Sequence, residues 1–344
     1  MVTLKDIAKE AGVSVMTVSN VVNGNRSKVS KENARRIKEI IQQRGYVPNS
    51  SARSLAKSNS NIIAIILRGG EGENTLESPH NATLVGTIIQ KIQKRGYYTM
   101  VNIMKSREDI SLSLRTWNVE GAVFLGMFDD EIEALCGASD IPMVFIDSYS
   151  NVRRLSNVGI DDYKGGRLAA RYLLERGHRK LAFVSPPIMD TGVIQHRHSG
   201  FCDELMQSGV ALLPEHQFVL ESDVRPEDIL ELGRALAARR GEFTAVFVTS
   251  DQIASYLIQG LRSAGVQIPE DLSLIGFDNL MICRQMTPQL TTITQNLEQK
   301  ATLAVDILFR RLRAPDAPAE SLVLDVELVE RESVSTLIPP AEGN

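Results

Sequence analysis

Cysteine and tryptophan are scarce in this chain of 344 residues, which holds three of the first and one of the second. Cys136, Cys202 and Cys283 are odd in number and far apart in sequence. That argues against a disulfide framework or a C-x-x-C metal site and points to a reducing cytoplasm. No stretch approaches the ~18 uncharged apolar residues of a transmembrane helix. The opening residues, MVTLKDIAKEAGVS, carry acids and no apolar segment, unlike a signal peptide. G-x-S-x-G, H-E-x-x-H, Walker and G-x-G-x-x-G motifs are all missing. The Gly-rich stretch GGEGE lacks the Gly-Lys-Ser/Thr ending of a phosphate loop, and its glutamates repel phosphate. His196 and His198 flank Arg197 without further metal ligands close in sequence. Neither an enzyme nor a cofactor or metal site is expected.

What is present is ordinary in bulk, with 43% hydrophobic and 23% charged residues. Disorder, collagen and coiled coil are thereby excluded as main themes, and the length suits two or three domains. The net charge of −4 hides a split. Residues 1–60 carry eleven Lys and Arg against four Asp and Glu, a net +7, whereas the rest carries 27 against 38, a net −11. A small basic head on a large acidic body suggests a polyanion partner for the head alone, the alternative being a solvated basic surface.

The head reads as three short helices. Thr3 is a candidate N-cap for a helix through about Ala11, with Asp6 in capping-box position. Gly12 ends it, and Ser14 caps a second helix from Met16 to about Asn23. Ser30 caps a third, over 31–44, with Gly45 just past its end. Ile7, Ala8, Ala11, Val18, Val21, Ile37, Ile40 and Ile41 supply the apolar stripes. Two short helices joined by a tight Gly turn make a helix-turn-helix, whose second helix enters the DNA major groove. That helix offers Val15, Met16, Thr17, Ser19, Asn20 and Asn23. Short polar groups among them suit phosphates and base edges, and small apolar ones suit a thymine methyl. Asn20 suits adenine N6 and N7, or faces a phosphate.

LKDIAKEAGVSVMTVSNVVNG, followed by GYVPNSSARSLAKSNSNIIAIIL, resembles the LacI/GalR family of bacterial transcriptional regulators. The resemblance implies a homodimer, each subunit placing one helix-turn-helix in a half-site of a palindromic operator. It extends the DNA-facing set to Thr3, Leu4, Ser14, Tyr46, Asn49 and Arg53. Within 46–60, YVPNSSARSLAKSNS, Pro48 biases Val47 to an extended form. A helix over 51–56 has only about two turns, too short to hold alone. In the family such a hinge helix folds against its dimer mate in the minor groove, and a leucine wedges into the central base step. Leu55 holds that position here, the alternative being an interdomain packing residue.

Beyond the linker, apolar runs suited to buried parallel strands occur at 62–67, 99–103, 122–125, 143–146, 181–185, 245–249 and 272–276. Amphipathic stretches between them end at Gly96, Gly177, Gly209 and Gly265. This βα alternation predicts doubly wound parallel sheets, and its length predicts two such lobes. The fold class expected is an all-α helix-turn-helix domain plus an α/β core of two such lobes, which the resemblance implies is periplasmic-binding-protein-like. The chain then crosses between lobes near Asp161, Thr291 and Val323. The divisions are 1–46 for the head, 47–60 for hinge and linker, 61–161 with 292–322 for the N-terminal lobe, 162–291 with 323–338 for the C-terminal lobe, and 339–344 as a tail.

Ligands in open α/β sheets bind beyond the carboxyl ends of the strands, so two facing lobes put the site between them. Asp147, Ser250, Asp251 and Asp278 each follow a strand, and Arg197 opens a helix in the run RHSGF. All five match the family's pattern, although many members have Asn where Ser250 stands. Carboxylates accept hydroxyl protons and a guanidinium donates in a fixed fork, which suits a polyol. The alternatives are a helix N-cap for Asp251 and an interlobe salt bridge for Arg197 and Asp278. His80 stands where an aromatic is common, Phe128 or Tyr149 would supply stacking, and Trp117 reads as a packing residue beside Leu112 and Leu114. The C-terminus, LIPPAEGN, lacks heptads, so a dimer is expected.

The expected protein is a repressor of carbohydrate-utilisation genes with a sugar effector. The alternatives are a nucleobase- or phosphoprotein-responsive regulator and a sugar-binding module without a DNA role. Residues 61–344 alone are expected to lose duplex binding in a gel shift that the full chain passes; equal retardation of both would end the DNA reading.

Overall fold

The computed structural model describes residues 2–22, 24, 28–46, 60–69, 75–104, 107–148, 155–221 and 225–337. Contacts divide the chain into two units, 1–60 and 61–344. In the first unit, α1 spans Leu4–Ala11, α2 Val15–Val22 and α3 Lys31–Gln43. Ile7, Ala8 and Ala11 of α1, Val18 of α2, and Ile37 and Ile40 of α3 are buried together. The helical spacing of these residues turns one stripe of each helix inward. Gly12 ends α1 with φ at 64°, a left-handed conformation that glycine adopts without strain. The hinge segment and Asn23 lie outside the described residues.

The second unit alternates strand and helix. In chain order it runs β1 Ile62–Arg68, α4 Pro79–Gln93, β2 Tyr98–Met104, α5 Arg107–Thr116, β3 Gly121–Leu125, α6 Asp129–Ala138, β4 Met143–Ile146 and β5 Asn157–Ile160. There follow α7 Asp162–Glu175, β6 Leu181–Ser185, α8 Val193–Gln207, β7 Gln217–Val219, α9 Pro226–Ala238, β8 Ala245–Val248, α10 Asp251–Ser263 and β9 Ser273–Asp278. The chain closes with α11 Ile282–Gln285, β10 Thr291–Thr294, α12 Leu297–Arg313, β11 Ser321–Leu324 and β12 Glu327–Val329. Two six-stranded sheets result, ordered β11-β5-β4-β3-β1-β2 and β12-β10-β9-β8-β6-β7. The described pairings are parallel except that of β12 with β10. Each sheet has one apolar cluster on either face. Strands buried on both sides read as unbroken apolar runs, which is why the central ones were visible in the sequence.

The expected lobe boundaries need correction. The strand Thr291–Thr294 pairs with β9 and β12, so it belongs to the second sheet, and the crossing falls at 295–296 rather than at Thr291. The strand Ser321–Leu324 pairs with β5 in the first sheet, so the last crossing falls at 325–326 rather than at Val323. Strands β5, β7, β10, β11 and β12 read NVGI, QFV, TTIT, SLVL and ELV, and none offers the run of four apolar residues that reveals β4 and β8. Trp117 and Leu112 are exposed rather than packed, whereas Leu114 is buried.

Helices α7 and α8 touch through glycine. A Cβ on Gly166 would lie 2.0 Å from the Arg197 carbonyl oxygen, and one on Gly200 2.0 Å from that of Tyr163. This contact sets how deep α8 sits against α7, and hence where Arg197 is held. Gly200→Ala is expected to destabilise the chain by about 3 kcal/mol through overpacking. Urea unfolding midpoints check this, and an unchanged midpoint would mean the helices can separate at no cost.

Candidate functional site

In the head, the capping box at α1 is complete. The Thr3 backbone N–H donates to Asp6 Oδ2 at 2.9 Å, its hydroxyl donates to the same oxygen at 2.7 Å, and the Asp6 N–H donates to Thr3 Oγ1 at 3.3 Å. These bonds from Thr3 pull the exposed Asp6 carboxyl below its ordinary pKa. Ser14 caps α2 by accepting the Thr17 N–H at 3.2 Å. The first turn of α2 thereby presents Val15 and Met16, 41% and 70% exposed, beside the Ser14 and Thr17 hydroxyls. Thr17, Ser19 and Asn20 are half-buried. Leu4 and Tyr46 pack against the head core, so packing is the role their geometry shows. Of the remaining expected DNA contacts, Asn23, Asn49, Arg53 and Leu55 lie outside the described residues.

In the second unit, a cavity of about 320 Å³ opens at the carboxyl ends of the strands of both sheets. His80, Asp147, Arg197, Ser250 and Asp278 line it, together with Gln295 from the crossing. Asp147 and Asp278 sit just at the strand ends with φ of 51° and 121°. Such backbone is costly for non-glycine residues and gathers at functional sites.

Arg197 is 6% exposed and lies in the second turn of α8, so it does not open that helix as expected. Its Nε donates to Asp162 Oδ1 at 2.8 Å, its Nη1 to the Thr249 carbonyl at 2.7 Å, and its guanidinium lies 3.6 Å from the centre of the Phe277 ring. Burial opposes its charge, but the Asp162, Asp278 and Asp147 carboxylates outweigh burial and raise its pKa. The pair with Asp162 stays within one lobe, so the alternative of an interlobe salt bridge does not hold for Arg197.

Asp251 is a further correction. It is fully buried at the start of α10 and does not line the cavity. Its Oδ1 accepts the Thr292 hydroxyl at 2.6 Å and its Oδ2 the Leu280 N–H at 2.9 Å, so it braces the loop behind Asp278. It is not the N-cap either, since that position is Ser250. Phe128 also lies off the cavity wall, with the Arg68 guanidinium 4.5 Å from its ring centre. Glu131 holds the two together, accepting from Arg68 Nε at 3.1 Å and from the Phe128 N–H at 2.9 Å. Tyr149 lies outside the described residues.

Three residues of the site were not expected. Asp162 follows β5, whose sequence NVGI offers no apolar run to mark a strand end. Gln295 donates to Asp278 Oδ1 at 2.6 Å. Lys300, with no exposed surface, donates to both oxygens of Asp147 at 2.7 Å. A lysine on a helix usually reads as solvated, but Lys300 falls on the stripe of Leu297, Ala301, Ala304 and Leu308, which was its signal. His198 bonds Gln217 and Cys202, and burial pushes the Cys202 thiol up to about 11, away from reactivity. No cluster of three metal-ligating residues occurs among the described residues.

Residues 3–49 match the family described as bacterial regulatory proteins, lacI family, and 170–334 a periplasmic binding protein-like domain. The HTH-type transcriptional repressor PurR of Edwardsiella ictaluri (strain 93-146) is 31% identical over 344 residues, covering 97% of each chain. This protein belongs to the LacI family. It is a DNA-binding transcriptional repressor, ligand-switched and not an enzyme. The lac repressor dimer bound to operator and the anti-inducer ONPF has the same fold, with a TM-score of 0.84 at 24% identity over 97% of this chain and 99% of that one. A LacI family transcriptional regulator from Enterococcus faecalis V583 with bound ribose is 27% identical, with a TM-score of 0.67 over 80% of this chain and 100% of that one. Among the described residues no helix is long and apolar enough to cross a membrane.

The Asp251 carboxyl gives this LacI-family core a pH signature. Burial, with Asp278 second, pushes its pKa up to about 7 from 3.8. Between those values the folded chain holds a proton that the unfolded chain has released, so stability falls as pH rises from about 4 to about 7. Asp251→Asn is expected to flatten that slope in urea unfolding at pH 4.5 and pH 7; an unaltered slope would place the titration elsewhere.

Proposed function

We propose that this repressor binds a palindromic operator as a cytoplasmic homodimer and is switched by a monosaccharide held between its two lobes. The observation that carries the sugar reading is the cavity wall. Asp147, Arg197, Asp278 and Gln295 converge there, and no Phe, Tyr or Trp lines it among the described residues. Carboxylates and a guanidinium are partners for hydroxyl groups, whereas a flat base is held between two ring faces, and the aromatic ring on this wall among the described residues is the His80 imidazole. At about 320 Å³ the space is at the small end for a ligand pocket, which suits one sugar ring. The ribose in the Enterococcus faecalis relative agrees with this choice. His80, Ser250 and these four residues form the proposed binding set.

On the DNA side, Val15, Met16, Thr17, Ser19, Asn20 and Asn23 are the proposed groove-facing residues, with Thr3, Ser14, Asn49 and Arg53 on the backbone. Leu4 and Tyr46 act there through the packing of the head. Leu55 is the proposed wedge. Effector binding shifts the population of lobe arrangements, and the arrangement favours or disfavours ordered hinges in the dimer.

An operator selected from random duplexes, bound to the full chain at fixed salt, tests the effector. Titration with pentoses and hexoses is expected to change operator affinity by about tenfold, within the usual range of allosteric coupling. A shift with purine bases and none with any sugar would reverse the reading.

A further inference from the structure

Lys300, on α12, has no exposed surface. An ammonium has three donors. Here two go to Asp147 Oδ1 and Oδ2, each at 2.7 Å, and the third to Gln295 Oε1 at 2.5 Å. The amide of Gln295 then donates from Nε2 to Asp278 Oδ1 at 2.6 Å. Asp147, Gln295 and Asp278 line the cavity, while Lys300 does not. Asp147 and Lys300 belong to the first lobe, Asp278 to the second, and Gln295 to the crossing between them. The chain of bonds therefore runs from one lobe to the other beneath the cavity.

We propose that Lys300 is a positioning residue of the effector site. It holds both oxygens of Asp147 as a fixed acceptor and sets the Gln295 amide with its nitrogen toward Asp278, so the cleft selects ligands that donate hydroxyl protons to both lobes. The two ends of a glutamine amide have the same shape and opposite polarity, and a cation at one end decides which way it points. Once it is set, a carboxylate or keto oxygen placed against Asp147 or Asp278 meets an acceptor and is rejected. This selectivity deepens the sugar reading and rests on it.

The charged groups around Asp147 come from every neighbouring element. Lys300 approaches from α12 and Arg197 from α8, and Asp278 is reached through Gln295. His80 from α4 and Arg68 from β1 share the cavity, and Asp251 lies behind Asp278. Without Lys300, Asp147 would lose its partner on both oxygens and the Gln295 amide would be free to turn.

Calorimetric titration of the full chain at one pH provides the test. The titrants are D-ribose, the other common pentoses and hexoses, and the bases adenine, guanine and hypoxanthine. For the variants, affinity is measured for whichever sugar binds the wild type and for the same sugar with one hydroxyl oxidised to a ketone or a carboxylate. Lys300→Met is expected to lose about tenfold of the wild-type preference for the hydroxyl form, because the Gln295 amide is then free to turn. Lys300→Arg is expected to keep that preference, and Asp147→Asn to lose it. Lys300→Gln takes the place of the Met variant should that one not fold. A Lys300→Met or Lys300→Gln chain with the wild-type preference would overturn the proposal. Binding of a base in place of any sugar would remove the sugar reading alone, since the same comparison is then made between adenine, whose amino group donates, and hypoxanthine, whose carbonyl does not.

Discussion

A cation taken out of water must be met by carboxylates and carbonyls, and that requirement organises the core of this protein. Arg197 and Lys300 are both more than nine-tenths buried. Leaving either without its partner would cost about 3–5 kcal/mol. Asp162 is therefore committed to Arg197 and Asp147 to Lys300. The cleft does not hold a loose set of charges from which a ligand chooses. Its carboxylates are already oriented, and their remaining lone pairs are what a ligand meets.

The placement of those carboxylates follows from sheet geometry. Parallel strands end on the same side, so β4 and β9 both deliver an aspartate to the cleft. At Asp147 and Asp278 the backbone turns to positive φ at the strand end, which departs from the strand direction at the point where the side chain meets the cavity. Strain of this kind persists only where surrounding bonds over-determine it, and here Lys300, Gln295 and the Asp251 brace behind Leu280 do so. The pattern recurs in both lobes, whose sheets share one strand order apart from the direction of β12.

Much of this was legible in the sequence. Central strands are buried on both faces and show as apolar runs, and helix ends show through Gly12, Gly96, Gly177 and Gly265. Asp147 and Asp278 show because strand ends show, and Arg197 shows through the run RHSGF. Edge and crossing strands with polar residues or glycine in them show no apolar run, so TTIT at Thr291–Thr294 falls to the wrong lobe and Asp162 is hidden with the NVGI of β5. Lys300 was hidden because its type suggests solvent while its spacing puts it inside. Asp251 looked like a ligand because it shares a strand end with Ser250, yet its side chain turns back toward Thr292 and Leu280. Position along the chain reveals that a residue is near the cleft, but not which way its side chain faces.

The same bonds constrain how the lobes can rearrange. An effector usually couples to its distant site by about 1–3 kcal/mol. That is less than the ~3–5 kcal/mol that a buried charge without its partner costs, so an effector coupling within this range leaves Lys300–Asp147 and Arg197–Asp162 closed. The freedom left lies at the crossings. Asp161 and Asn296 each cap the helix that follows them, accepting the Lys164 N–H at 2.8 Å and the Gln299 N–H at 2.9 Å. Asp325 takes an exposed bond from Lys164, of the kind that contributes little. The hydrogen bond of Gln295 to Asp278 joins the crossing to the second lobe at the cavity wall, which is where a ligand held by both carboxylates would be felt.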